Sequence, residues 1–230
     1  GADFAQARVL RDRRPLTVGP FVLTPYLMDH SAYDAYALLI EAGGKRLFYS
    51  GDLRGHGRKA KLFERLLQHP PQAIDVLLLE GTVIGRKPAD GQFATERELE
   101  GAFRKQLHTA QGLSLVWCSS QNIDRIVTIF KACKQEGREL ILDLYTAEML
   151  RATGNPNLPQ GNWDGVRVYM TNSQRIKVKR QGLFALLDRY QKNRIFPAEL
   201  PAAAGRRSVL LFRPSFENEL ERAKCLQKAR

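Results

Sequence analysis

The sequence predicts an α/β protein in which a short antiparallel strand unit precedes a mostly parallel sheet. Three observations predict it. Two strand-like runs flank the pair Gly43-Gly44, as a hairpin does. From Thr95 onward, apolar runs of strand length alternate with amphipathic runs of helix length, which implies crossover units. Between these two rhythms lies the polar stretch RKPADGQF, residues 86–93, which places a boundary there and gives domains 1–88 and 89–230.

Taken in order, GPFVLTPYLMDH is a strand, and YALLIEAGGKRLFYSGD is a pair of strands turning at the two glycines. Leu62, Phe63, Leu66 and Leu67 recur at helical spacing, and Pro70-Pro71 end that helix. The run AIDVLLLEG is continuously apolar, the pattern of a strand buried on both faces. Thr95 and Glu98 have capping-box spacing and open a helix whose apolar stripe is Leu99, Ala102, Phe103 and Leu107. GLSLVWCSS is the next strand. A helix follows, with Ile123, Ile126, Val127, Phe130 and Cys133 on one face and Gly137 as its stop. RELILDLY, TAEMLRAT and GVRVYMT read as strand, helix and strand. QRIKVKRQGLFALLDRYQ is helical but weakened by Gly182, and RSVLLFR and SFENELERAKCLQKA close the chain as strand and helix.

The bulk numbers narrow the class of protein. The chain has 230 residues, 43% of them hydrophobic, enough for a real core. Its apolar runs are strand-sized, well short of a membrane span, and the first residues lack a signal-peptide core. Cys118, Cys133 and Cys225 are widely spaced and odd in number, which argues against a disulfide framework or a cysteine zinc site. A reducing, cytoplasmic setting is expected. The formal net charge is +12, which favours an anionic partner, nucleic acid before a membrane surface. A solubility charge is the plain alternative. A homo-oligomer is compatible with all of this.

Four regions carry chemistry. His30 precedes one strand of the hairpin unit and Asp52 follows its partner, so an antiparallel pairing brings both to one end of the sheet. An imidazole and a carboxylate there can converge on a divalent metal, although both are also common loop residues. GHGRKAK, with Arg58 and Lys59, can hold phosphates at the start of the next helix, or be a solvated basic loop. Ser119 and Ser120 stand at a strand-to-helix junction, where they can bind a phosphate or simply cap the helix. Arg175, Lys177, Lys179 and Arg180 lie in a basic run interleaved with Tyr169, Phe184 and Tyr190. That pattern suits either a nucleic-acid face or a solvated helix above core aromatics.

The order DHSAYDAYALLIE, GKRLFYSGDLR and IDVLLLEGT resembles the second half of the metallo-β-lactamase fold, and more narrowly its β-CASP branch of nucleic-acid phosphodiesterases, including ribonuclease J. The segment from Thr95, especially SLVWCSSQNIDRIVTIFKACKQEGRELILDLYT, is similar to the β-CASP insertion. The resemblance implies the second half of a metallo-β-lactamase fold followed by a β-CASP-like parallel-sheet α/β domain. It implies that His30 is a metal ligand, that Asp52 bridges two zinc ions, and that Glu80 is the acidic residue ending the buried strand, placed to orient a ligand histidine. Gly81 replaces the usual small hydroxyl residue after Glu80. The family's His-x-His-x-Asp-His cluster and its later histidines do not occur in this sequence. The expectation is therefore a partial chain, inactive alone, of a metal-dependent hydrolase cleaving nucleic acid, RNA before DNA, with N- and C-terminal segments of the parent missing. The alternatives are a non-catalytic nucleic-acid-binding module or degenerate homologue, and a small-substrate metallo-hydrolase.

Overall fold

The computed structural model describes residues 7–82, 84–85 and 93–226. It divides into two compact units, residues 1–95 and 96–230. The boundary expected at residues 88 and 89 lies outside the described residues. The chain is mixed α/β with two sheets, one of them parallel throughout.

The first unit holds a five-stranded sheet in chain order: β1 (Leu16–Val18), β2 (Phe21–Leu27), β3 (Tyr36–Ala42), β4 (Lys45–Tyr49) and β5 (Val76–Leu78). Strands β1 to β4 pair antiparallel. The β3–β4 turn is Gly43-Gly44, with φ of +55° and +73°, the left-handed pair that a two-residue hairpin requires. Helix α1 (Ala60–Gln68) then crosses over, so β5 pairs parallel to β4. Alternation along the strands sends Ala37, Leu39 and Phe48 into a core with Met28 and with Phe63 and Leu66 of α1. In register with them, the opposite face carries Leu23, Leu38, Ile40, Leu47, Tyr49, Val76 and Leu78. These seven are all apolar, yet each is half-buried or exposed.

Strand β5 corrects one expectation. The VLLL run is not buried on both faces: its four residues are between 47% and 65% exposed. It forms the edge of the sheet, with one neighbouring strand rather than two. The run has the composition of an interior strand without the neighbours of one.

The second unit opens with α2 (Glu96–Thr109) and continues as β6 (Ser114–Trp117), α3 (Ile123–Gln135), β7 (Leu140–Asp143), α4 (Leu144–Ala152) and β8 (Val166–Tyr169). Helices α5 (Asn172–Arg180) and α6 (Ala185–Arg189), β9 (Arg194–Ile195), α7 (Leu200–Gly205), β10 (Val209–Phe212) and α8 (Glu217–Arg222) complete it. The sheet order is β6-β10-β7-β8-β9. The last strand thus inserts between the first two. Residues of α4, α5 and α6 pack with Val168 and Met170 on one face. Residues of α7 and α8 pack with Ile141, Tyr169 and Leu210 in a separate cluster on the other. Buried Glu96 fastens α2 to α3 by pairing with the Arg125 guanidinium at 3.1 Å and accepting from the Thr128 hydroxyl at 2.6 Å. The basic run is two helices because Gly182, at φ +64°, ends α5 with Leu183 N–H bonded back to the Val178 carbonyl. Strands β1 and β9 and helix α7 are too short to show periodicity, and sequence pattern did not predict them.

Candidate functional site

The hairpin delivers the juxtaposition that its antiparallel pairing requires. His30 follows β2 and Asp52 follows β4, and the His30 Nε2 lies 3.9 Å from the Asp52 Oδ2. The Asp52 side chain is 73% exposed, so its position is set by its neighbours rather than by packing. Ser50, fully buried, accepts from the Glu80 N–H at 2.8 Å and donates to the Gly51 carbonyl, which aligns the ends of β4 and β5. Gly51 has φ +56°, and a Cβ there would meet the Tyr36 carbonyl oxygen at 2.8 Å, so only glycine fits this approach to Asp52.

Asp29, beside His30, is fully buried and organises the loop after Asp52. Its carboxylate accepts from Gly57 N–H at 2.7 Å and from Lys59 N–H at 3.1 Å, and its carbonyl accepts from Arg54 N–H at 2.8 Å. The Arg54 Nε sits 3.9 Å from the same carboxylate. A Cβ on Gly57 would fall 2.3 Å from the Asp29 Oδ1, which makes a side chain there untenable. Sequence reasoning passed over Asp29. Its one signal was an acid directly before the candidate ligand histidine.

Glu80 lies at the end of β5, near both residues. Its carboxylate accepts from Leu53 N–H at 2.7 Å and from the Thr82 hydroxyl at 2.5 Å. The Thr82 and Leu53 hydrogen bonds, with the nearby His30 imidazole, hold the Glu80 carboxyl below its ordinary pKa of 4.5. Glu80 therefore pins the residue that follows Asp52. The His30 Nδ1 accepts from Ala32 N–H at 3.2 Å. Ligation of a cation through Nε2 needs the ring proton on Nδ1, so the Ala32 contact would have to open.

Zinc bonds of about 2.0–2.2 Å place tetrahedral donors about 3.3–3.6 Å apart. The 3.9 Å separation of His30 and Asp52 reaches that with a small side-chain shift. Two donors do not complete a site, since catalytic zinc has about three protein ligands. Among the described residues no group of three histidine, cysteine or acidic side chains is arranged to hold a metal. By type and spacing, His30 and Asp52 could serve as two donors of a zinc site.

The basic residues divide by environment. Lys59 is committed: its ammonium donates to the carbonyls of Ala32 at 2.6 Å and Tyr33 at 3.0 Å, closing the loop around His30. Arg58 is half-buried in the same loop. Arg175, Lys177, Lys179 and Arg180 are all exposed on α5, but at 100° per residue Arg175 and Lys179 fall on one side of buried Val178 and Lys177 and Arg180 on the other. They form no single stripe. Lys177, Lys179 and Arg180 also sit in the last helical turn, where a cation is favoured without any ligand. Of the interleaved aromatics, Tyr169 and Tyr190 are core residues whose hydroxyls donate to Glu219 and Glu148, while Phe184 is exposed.

Ser119 and Ser120 border a cleft of about 440 Å³ at the carboxyl ends of β6 and β10, lined also by Trp117, Tyr145 and Arg213. Ser119 is exposed and accepts from Gln121 N–H at 3.2 Å. Ser120 is buried within a polar chain. Buried Asp143 can only accept, and it takes the Thr146 hydroxyl proton. The Thr146 oxygen therefore accepts from the Ser120 hydroxyl at 2.6 Å, and the Ser120 oxygen accepts from the Arg213 guanidinium. The α3 N-terminus is closed by Asn122, which accepts from Arg125 N–H at 2.9 Å, and Asp124 occupies its first turn. An Asn, not either serine, is the cap. Burial raises the Cys118 thiol to about 11, so it stays protonated.

No family model and no curated protein matches this chain. Among solved structures it is similar to the crystal structure of a protein of unknown function from Enterococcus faecalis V583, with a TM-score of 0.52 and 16% identity over 89% of this chain. The chain spans 65% of that protein's length. At that identity the likeness speaks to fold alone, and it is consistent with the general α/β class.

Proposed function

We propose that this chain is part of a metal-dependent hydrolase of the metallo-β-lactamase fold, β-CASP branch, which cleaves phosphodiester bonds in nucleic acid, RNA before DNA. The observation that carries this reading is the 3.9 Å approach of His30 and Asp52 across the sheet end. His30 and Asp52 would hold the zinc, which when bound would supply an acidified water and positive charge for the phosphate oxygens. The protein's own part is positional: Ser50, Gly51, Glu80 and Asp29 fix the two ends of the loop that bears Asp52. The largely apolar sheet face that carries Leu38, Ile40, Leu47 and Val76, interrupted by Lys45 at the hairpin end, is suited to pack against a further layer. The net charge of +12 supports a polyanionic substrate.

The test is elemental analysis and single-stranded RNA cleavage by a polypeptide that carries this sequence together with the further metal ligands the reading requires. About two zinc ions per chain are expected, and Asp52→Ala is expected to remove both metal and cleavage. Normal cleavage by that variant would overturn the site. Salt-dependent RNA binding without metal would favour the second reading, a non-catalytic nucleic-acid-binding module.

A further inference from the structure

The order β6-β10-β7 creates a topological switch point. The crossovers β6–α3–β7 and β7–α4–β8 progress one way along the sheet, and the return from β9 through α7 to β10 runs the other way. Crossovers of one hand that progress in opposite directions lie on opposite faces of a sheet. The loops leaving β6 and β10 therefore part, one toward the α3 and α4 side and the other toward the α7 and α8 side. In open parallel sheets, the crevice left between such loops at the strand carboxyl ends is where ligands bind. The cleft bounded by Trp117, Ser119, Ser120, Tyr145 and Arg213 is that crevice.

Its lining specifies a ligand class. Trp117 is 74% exposed and Tyr145 is 45% exposed, an unusual display for two large aromatics on one concave surface. The Arg213 guanidinium lies 5.5 Å from the Tyr145 ring centroid and donates to Ser120, so it is held in place rather than free to sweep. That anchoring runs through Ser120 and Thr146 to buried Asp143, whose other oxygen accepts from Gln174 at 2.7 Å. A polar chain of four side chains, Ser120, Thr146 and Asp143 buried and Gln174 half-buried, thus fixes one cation beside an exposed ring. With Asn122 and Asp124 closing the α3 N-terminus, Arg213 is the anion-attracting group of the cleft.

We infer that this cleft is a nucleotide-stacking subsite for a single strand: Trp117 and Tyr145 take base faces and Arg213 takes the adjoining phosphate. The inference rests on the nucleic-acid reading above and adds to it the strand form and the residues of contact. Stacking needs an unpaired base, so duplex is a poor ligand.

The experiment uses the chain with Trp163→Phe, a conservative change at a ring that packs 5.6 Å from Phe130, so that Trp117 is the one emitter. A fluorescein-labelled ten-nucleotide uridine oligomer is titrated, with anisotropy reporting binding and tryptophan emission reporting the cleft. Expected are quenching of Trp117 along the same isotherm, a loss of roughly 5- to 100-fold on Trp117→Ala, and weaker binding of a duplex of equal length. Circular dichroism checks that the variant is folded. Binding by anisotropy with unchanged Trp117 emission and no loss on Trp117→Ala overturns the cleft and leaves the nucleic-acid reading standing. No binding of oligomer or duplex at low salt overturns both.

Discussion

Asp29→Asn tests the frame that holds the candidate metal residues. The substitution keeps the shape of the side chain and replaces one acceptor oxygen with an NH₂ donor. Both Asp29 oxygens face backbone N–H groups, those of Gly57 and Lys59, so either orientation of the amide sets a donor against a donor. One charge-assisted hydrogen bond is lost, at about 1.5–3 kcal/mol, and a buried N–H is left unmade, at about 1–3 kcal/mol. Arg54, 3.9 Å away, also loses its countercharge. The expected loss is about 2.5–6 kcal/mol, large against a total stability of about 5–15 kcal/mol. Hydrogen exchange is the assay, because it reads the loop separately from the second unit. Exchange at the Gly57 and Lys59 amides should accelerate by about two orders of magnitude or more on the conversion of about 1.4 kcal/mol per tenfold. Asp34→Asn, at an exposed position, is the control. A cost under about 1 kcal/mol with unchanged exchange at those two amides would refute the idea that Asp29 holds the loop.

Two further predictions concern the same unit. Because the folded structure lowers the Glu80 carboxyl below 4.5, its contribution is fully present above that pH and is lost as pH falls from 4.5 through the folded value. Protection of the Leu53 amide should weaken in that window in the parent but stay flat with pH in Glu80→Gln, and parallel pH profiles for the two would count against the Leu53–Glu80 bond. Val76→Lys with Leu78→Lys should leave the unfolding free energy of the first unit in urea within about 0.5 kcal/mol, since both positions are about half exposed, while lowering self-association in light scattering. A stability loss above about 2 kcal/mol would mean that this face is already covered.

Much of the architecture is local and was readable. Gly43-Gly44 dictates a hairpin through its two positive φ angles, and once the hairpin is antiparallel His30 and Asp52 must share an end. The 3.6-residue stripe of α3 and its Gly137 stop recur in the fold because both are backbone preferences of a few neighbouring residues. Less could be read of the residues that support the site. Asp29, Ser50 and Glu96 look like surface polar groups in sequence, and their partners lie 28 to 32 positions away. Pairing at that distance leaves no mark on local pattern. Ser119 and Ser120 show the same limit, since the distant Arg213 turns Ser120 inward and Asn122 takes the capping role.

Sequence alone determined the types of the longer elements, the hairpin, the alternation that forces a parallel sheet and the excess of positive charge. Each depends on composition or on spacings of a few residues, where backbone sterics and side-chain periodicity act directly. Tertiary structure decided where β10 goes, which opened the Trp117 cleft, and that β5 is an exposed edge rather than a buried strand. It also decided which cations are bound to carbonyls and which face water. Those outcomes depend on which surfaces meet, and an apolar run carries the same sequence whether or not a neighbour arrives to cover it.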